Sequence, residues 1–316
     1  MLDAIAKLHQ NIAGVFLGHE DVVRRVIVCL MARGHILIED VPGVGKTLLA
    51  STLARSIDGS FARVQMTPDL LPSDILGVTI LDRASSEFIF KPGPIFSNVV
   101  LADEVNRTTP RTQAALLEAM NEASVSVEGQ ARKLDQPFLV IATQNPAHFE
   151  GTYPLPESQL DRFLMRLHLG YPKPEEESRI LEARPQATGL ANLRPVISRE
   201  NVREVQALVD RVWLHEDLRA FIVAIAAATR THPNLELGLS PRGSLALAQA
   251  ARATAAYHGR DYAVPEDVTS NVLPVVGHRL VVRGMAPGGP SSGADRILEE
   301  ILRSIPTPMD VRPPRR

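Results

Sequence analysis

The chain has 316 residues, of which 45% are hydrophobic and 22% charged, and its formal net charge is −2. That length accommodates two domains of roughly 100–200 residues with real cores, and a charge near zero excludes a global basic field for nucleic acid. The single cysteine, Cys29, excludes an intrachain disulfide and reads as a core residue within the apolar run Val26–Met31.

Apolar residues at helical spacing (Leu2, Ile5, Leu8, Ile12, then Val22, Val23, Val26, Ile27, Leu30) predict helices over residues 1–33, broken at Phe16–Leu17–Gly18. Asp3 and Lys7 interrupt the start, so no signal peptide is expected. Apolar runs such as Ala220–Ala228 fall short of the roughly 18 residues that cross a bilayer. The expectation is a soluble, cytoplasmic protein without membrane insertion.

Apolar strands follow at Ile36–Ile38, Phe61–Met66, Val99–Ala102, Phe138–Thr143 and Leu164–Leu169, with helices at Leu48–Ser56 and Thr109–Glu122. Alternating β and α segments whose strands are apolar on both faces predict an α/β fold, a parallel sheet flanked by helices that binds ligands at its carboxyl edge. Two stretches interrupt this rhythm and are expected to project as insertions. Residues 67–97 carry four prolines and strand-like pieces at Val78–Leu81 and Glu87–Phe90, and residues 124–136 read as a hairpin around Gly129.

After Tyr171–Pro172–Lys173–Pro174 the chain becomes rich in Ala, Leu, Glu and Arg at helical period. Pro174, Pro241 and Pro265 each sit where a first helical turn begins, and Ser240 is placed to cap the helix opening at Pro241. Ala286–Ala294 reads as a linker. The organisation expected is an α/β domain over 1–172, a smaller all-helical domain over 173–305 and a flexible tail over 306–316.

Chemistry concentrates in a few places. In Ile36–Thr47 an apolar run stops at a Pro/Gly-rich turn and Lys-Thr opens a helix, the layout of a phosphate-binding loop. Lys46 would reach the β- and γ-phosphates and the Thr47 hydroxyl would ligate Mg²⁺. The strict pattern has Gly where this chain has Asp40, and a plain helix-capping turn is the alternative.

The strand Val99–Ala102 ends in Asp103, suited to Mg²⁺, and Glu104, suited to polarising water. A solvated acidic turn is the other possibility. Asn145 ends the strand expected between those carrying Lys46 and Asp103, where its amide would orient the attacking water, unless it only makes an Asn-Pro turn. Arg162 follows a helix and precedes the last strand, a position from which it can act on a neighbouring subunit. A salt bridge with Asp161 or another acid is equally compatible, and Arg166 competes for the same role. Arg242 opposes the dipole of the helix it opens, which an outside anion or plain hydration would relieve. The nine histidines show no ligand spacing, so Mg²⁺ held with a nucleotide is the only metal expected.

The order of these motifs resembles the AAA+ ATPases and, within them, the MoxR group of the helix-2-insert clade, related to magnesium-chelatase ATPase subunits. The likeness is carried by Glu39–Thr47, Gly93–Phe96, Ala102–Arg107, Leu116–Met120, Ala142–Pro146, Gly151–Glu157 and Ser240–Arg242, and runs from about Gly18 to about Arg283. It implies ATP held by Pro42, Gly43, Val44, Gly45, Lys46, Thr47 and Leu48 as the Walker A segment, with Gly18 near the adenine. It also implies Asp103 and Glu104 as Walker B, Asn145 as sensor 1, Arg162 as the arginine finger, Arg242 as sensor 2 and 67–97 as the helix-2 insert.

Such proteins work as rings, usually hexamers, that remodel protein clients or help load metal cofactors, often with a partner bearing a von Willebrand factor A domain. A GTPase is disfavoured because no Asn-Lys-x-Asp motif occurs. A nucleic-acid-remodelling motor is the different-class rival. It is disfavoured because residues 67–97 hold only Arg83 and Lys91 as basic groups, against Asp69, Asp74, Asp82 and Glu87.

Overall fold

Alternation along the apolar strands builds the molecule. The computed structural model describes residues 2–41, 43–84, 86–144, 153–183, 189–284 and 292–309. Its first nine strands are β1 (Ile36–Glu39), β2 (Phe61–Gln65), β3 (Gly77–Asp82), β4 (Glu87–Pro92), β5 (Val99–Asp103), β6 (Ser124–Val127), β7 (Gln130–Lys133), β8 (Leu139–Gln144) and β9 (Met165–Leu167). The helices among them are α1 (Leu2–Ala13), α2 (Glu20–Met31), α3 (Lys46–Ser56), α4 (Pro72–Leu76), α5 (Pro110–Glu122) and α6 (Glu157–Leu160).

Five strands form one sheet in the order β2-β5-β8-β1-β9, every neighbouring pair parallel. Successive residues serve opposite faces: Ile36, Ile38, Val99, Leu101, Leu139 and Ile141 join one core, while Leu37, Val100, Ala102, Val140 and Ala142 join the other. The first core holds α1, α2 and α3, including fully buried Cys29, whose thiol burial pushes up. The second is closed by Leu116, Leu117 and Met120 of α5. β8 lies between β1 and β5, as expected for the strand leading to Asn145, although Asn145 itself lies outside the described residues.

Both interruptions are antiparallel hairpins, β3 with β4 and β6 with β7. They touch where the Arg132 guanidinium sits 3.9 Å from the centre of the Phe90 ring. Beyond that contact the first hairpin exposes large apolar side chains among charged ones, with Phe88 at 77% exposure and Leu81 at 54%.

The C-terminal part comprises α7 (Pro174–Ala183), α8 (Gly189–Asn192), α9 (Arg199–Val209), α10 (Glu216–Thr231), α11 (Pro241–Tyr257), α12 (Pro265–Val276) and α13 (Ser292–Ser304). Pro174, Pro241 and Pro265 are first residues of their helices, and Ser240 Oγ accepts from the Gly243 N–H at 3.1 Å. To this helical lid the structure adds a short antiparallel ribbon of β10 (Leu235–Leu237) and β11 (Val281–Val282), too brief to leave a period-2 signal. α13 opens at Ser292, inside the stretch read as a linker. The end of the tail, residues 310–316, lies outside the described residues.

The lid docks on the α/β part through buried polar groups. Gln206 Nε2 of α9 donates to Leu30 O at 2.7 Å. Buried Arg279 donates from Nε to Asp161 Oδ1 at 2.7 Å and from Nη2 to Phe163 O at 2.6 Å. Among the described residues, no helix is long and apolar enough to cross a membrane.

His35 fixes the amino edge of the sheet. Its Nδ1 accepts from the Val140 N–H at 3.0 Å, so Nε2 carries the proton and donates to Met120 O at 3.0 Å. Burial pushes its pKa from 6.5 down to about 4. The unfolded chain therefore takes up a proton that the folded chain refuses, and the stabilisation is complete above pH 6.5 and erodes as pH falls toward 4. In urea unfolding, the stability lead of wild type over His35→Gln is expected to shrink by up to about 3 kcal/mol across that window. A lead that does not vary with pH would contradict this account of His35.

Candidate active site

Parallel strands deliver the candidate residues to one edge. The loop after β1 and the acids ending β5 line a cavity of about 290 Å³ together with Gly43, Gly45, Lys46, Thr47 and Leu48. Gly43 (φ +88°) and Gly45 (φ +90°) adopt left-handed backbone that favours glycine. A Cβ on Gly45 would also meet the Phe16 ring at 3.0 Å. Val44 packs against the adjoining core, and Pro42 lies outside the described residues. α3 starts at Lys46 with no acidic residue in its first turn and no side-chain cap, so its open N–H groups face the cavity as a site suited to an anion.

Asp40, the departure from the general loop pattern, is an anchor. Its Oδ2 accepts the N–H groups of Leu169 and Gly170 at 2.6 and 2.7 Å, and its Oδ1 accepts that of Val41 at 2.9 Å. Its carbonyl oxygen accepts from Lys46 Nζ at 3.0 Å. Beside it, His168 Nδ1 donates to Glu39 O at 2.7 Å. The loop is thereby tied to the segment that leads from β9 into α7. Gly18 (φ +83°) belongs to the same knot, since a Cβ there would lie 3.0 Å from the Glu176 Cβ. Its neighbour His19 stacks on Phe16 with ring centres 5.1 Å apart, and burial holds the imidazole below its usual pKa.

The acids are held by hydrogen bonds. Thr143 Oγ1 donates to Asp103 Oδ1 at 2.6 Å and accepts the Glu104 N–H at 2.8 Å. Glu104 is in the left-handed region (φ +58°, ψ +55°), a conformation that costs a non-glycine residue about 1–3 kcal/mol. Two residues missed in the sequence reading complete this wall. Arg63 Nη2 donates to Asp103 Oδ2 at 2.6 Å, and Gln65 Nε2 to Glu104 Oε2 at 3.1 Å. Their signal was a polar pair two apart on a strand, which puts both side chains on one face.

Arg162 and Arg242 stand elsewhere. Arg162 Nη1 donates to Leu117 O at 3.1 Å and Arg242 Nη2 to Asn121 Oδ1 at 2.7 Å, both on the last turns of α5. That end of α5 is the end bonded to His35, before β1 begins. The two arginines thus gather near the amino edge, a strand length of about 15 Å from the glycine loop. Asp161 is taken by Arg279, so it is not the partner of Arg162, whose Nε is buried and unbonded. Arg166, the competing candidate, stands in a different, buried setting. Its side chain is 7% exposed and lies 3.5 Å from Glu39 and 4.0 Å from Asp295. Burial raises the Glu39 carboxyl, with Arg166 pulling the other way.

Comparison with known proteins gives the chain's relatives. The profile of the "ATPase family associated with various cellular activities (AAA)" matches residues 35–165, and that of the AAA lid domain matches residues 227–301. The chain is 45% identical over 307 residues to the uncharacterised protein YeaC of Bacillus subtilis, covering 96% of this chain and 95% of that one. It is 39% identical to the chaperone MoxR1 of Mycobacterium tuberculosis, covering 93% of this chain and 80% of that one. A crystal structure from Cytophaga hutchinsonii, of a protein provisionally described as an ATPase, superposes with a TM-score of 0.90 at 36% identity, covering 98% of this chain and 96% of that one.

Replacing Asp40 by Gly would restore the general loop pattern and remove the anchor. Leu169 and Gly170 would lose their acceptor, so Asp40→Gly is expected to destabilise the chain by about 1–3 kcal/mol in urea unfolding, and Asp40→Asn by less. Equal or greater stability for Asp40→Gly would show that the carboxylate does not hold the loop.

Proposed function

The chain belongs to the MoxR family of AAA+ ATPases, and we propose that it hydrolyses ATP, with Mg²⁺, at sites completed by a neighbouring copy. The observation that carries this reading is the separation of Arg162 and Arg242 from the glycine loop of their own chain, at opposite edges of one sheet. AAA+ ATPases typically form oligomeric rings, and a ring, here a hexamer, brings one copy's arginines to the next copy's phosphates.

In this reading Lys46 and the open N–H groups of α3 bind the β- and γ-phosphates. The Thr47 hydroxyl and the Asp103 carboxylate are hard oxygen donors on one cavity, a donor set that fits Mg²⁺. The ion, when bound, neutralises charge on the phosphate oxygens. Glu104 accepts a proton from the attacking water, Asn145 orients that water, and Gly18 lies beside the adenine. Arg162 and Arg242 of the neighbour stabilise the charge that develops on the transferred phosphoryl group. Residues 1–172 serve as the nucleotide-binding domain and 173–305 as the lid, with the Asp40 anchor passing loop movement to residues 169–170.

The work is remodelling of a protein client, with metal-cofactor loading and a von Willebrand factor A partner as its family-specific forms. The exposed apolar side chains Leu81, Phe88 and Ile89 on the β3–β4 hairpin favour a protein client over nucleic acid, since they offer nothing to a phosphate backbone.

Subunit mixing tests the shared site. Glu104→Gln is expected to bind ATP without hydrolysing it, and Arg162→Ala to lose turnover by roughly 10³-fold. Mixing the two should restore part of the turnover, because one interface then pairs an intact Glu104 with an intact Arg162. No recovery at any ratio would place the finger elsewhere.

A further inference from the structure

One charged group in the nucleotide cavity has no part in this scheme. Arg63 extends from β2, the edge strand, and lines the same cavity as Lys46 and Thr47. It holds Asp103 Oδ2 at 2.6 Å while Thr143 holds Oδ1 at 2.6 Å, so both oxygens of that carboxylate are engaged within the chain. A guanidinium and a divalent cation repel each other strongly at one carboxylate oxygen. Arg63 must therefore give up Oδ2 for Asp103 to serve Mg²⁺ through that atom. Its side chain is 49% exposed and its other hydrogen-bond partner, Gln65 Oε1 at 3.3 Å, is a weak one, so little resists the move. A freed guanidinium in this cavity stays within the neighbourhood of Lys46, and its planar fork suits paired phosphate oxygens.

We infer that Arg63 is a metal-responsive phosphate ligand. It neutralises Asp103 in the absence of Mg²⁺, then releases it and takes hold of the terminal phosphate of ATP. The inference rests on the ATP reading above. A plain salt bridge on an edge strand would have neither property, because its removal would change stability slightly and leave metal and nucleotide preferences alone.

Fluorescent ATP and ADP analogues, bound to the full chain while free Mg²⁺ is titrated, separate the two. In Arg63→Ala the Mg²⁺ concentration giving half-maximal ATP binding is expected to fall about five-fold, the scale of one partly exposed ion pair. At saturating Mg²⁺ the preference for ATP over ADP is expected to fall about ten-fold. Arg63→Lys, which keeps the charge without the fork, should fall between, and Arg63→Gln serves as a second truncation should the alanine variant fold poorly. An unchanged Mg²⁺ midpoint or an unchanged ATP preference overturns the proposal. If wild type binds neither analogue at any Mg²⁺ concentration, the ATP reading fails and this proposal with it.

Discussion

In a parallel sheet every strand ends at the same edge, and that constraint governs this molecule. The loop after β1 and the acids after β5 meet because their strands run the same way and are separated only by β8. The same polarity sends the end of α5, with Arg162 and Arg242 bonded to it, to the far edge. In the proposed reading a single chain holds the parts that would grip a triphosphate and the parts that would neutralise its departure, yet keeps them about a strand length apart. In that reading, association of copies would bring them together.

Several buried polar groups make that separation rigid. Arg279 clasps the backbone on both sides of Arg162, through Asp161 and Phe163, and so sets where the finger candidate points. Asp40 and His168 bind the phosphate loop to the strand that leads into the lid. Arg166, Glu39 and Asp295 join the root of that loop to α13. A buried charge left without its partner is expensive, so separating these ties is costly. These contacts connect the glycine loop to the helical lid.

The parts of the fold and the site that were legible in the sequence were those whose cause is local. Continuous apolar runs marked the sheet strands, prolines marked the starts of three lid helices, and the glycine loop and paired acids are contiguous in the chain. The parts that were not legible depend on partners far away. Arg63 and Gln65 find their acids 40 and 39 residues later, and Asp40 finds its amides 129 and 130 residues later. Arg162 and Arg166 looked interchangeable because they differ only in surroundings: one faces the end of α5, and the other is buried between Glu39 and Asp295. The ribbon of β10 and β11 is too short for periodicity to reveal.

The central claim is that hydrolysis belongs to the interface rather than to the chain. Specific ATPase activity measured across a dilution series, with light scattering on the same samples, tests it most directly. The account predicts that activity per chain falls toward zero as assemblies dissociate and recovers when the sample is concentrated again. Full activity per chain in a sample that scatters as monomer would contradict it.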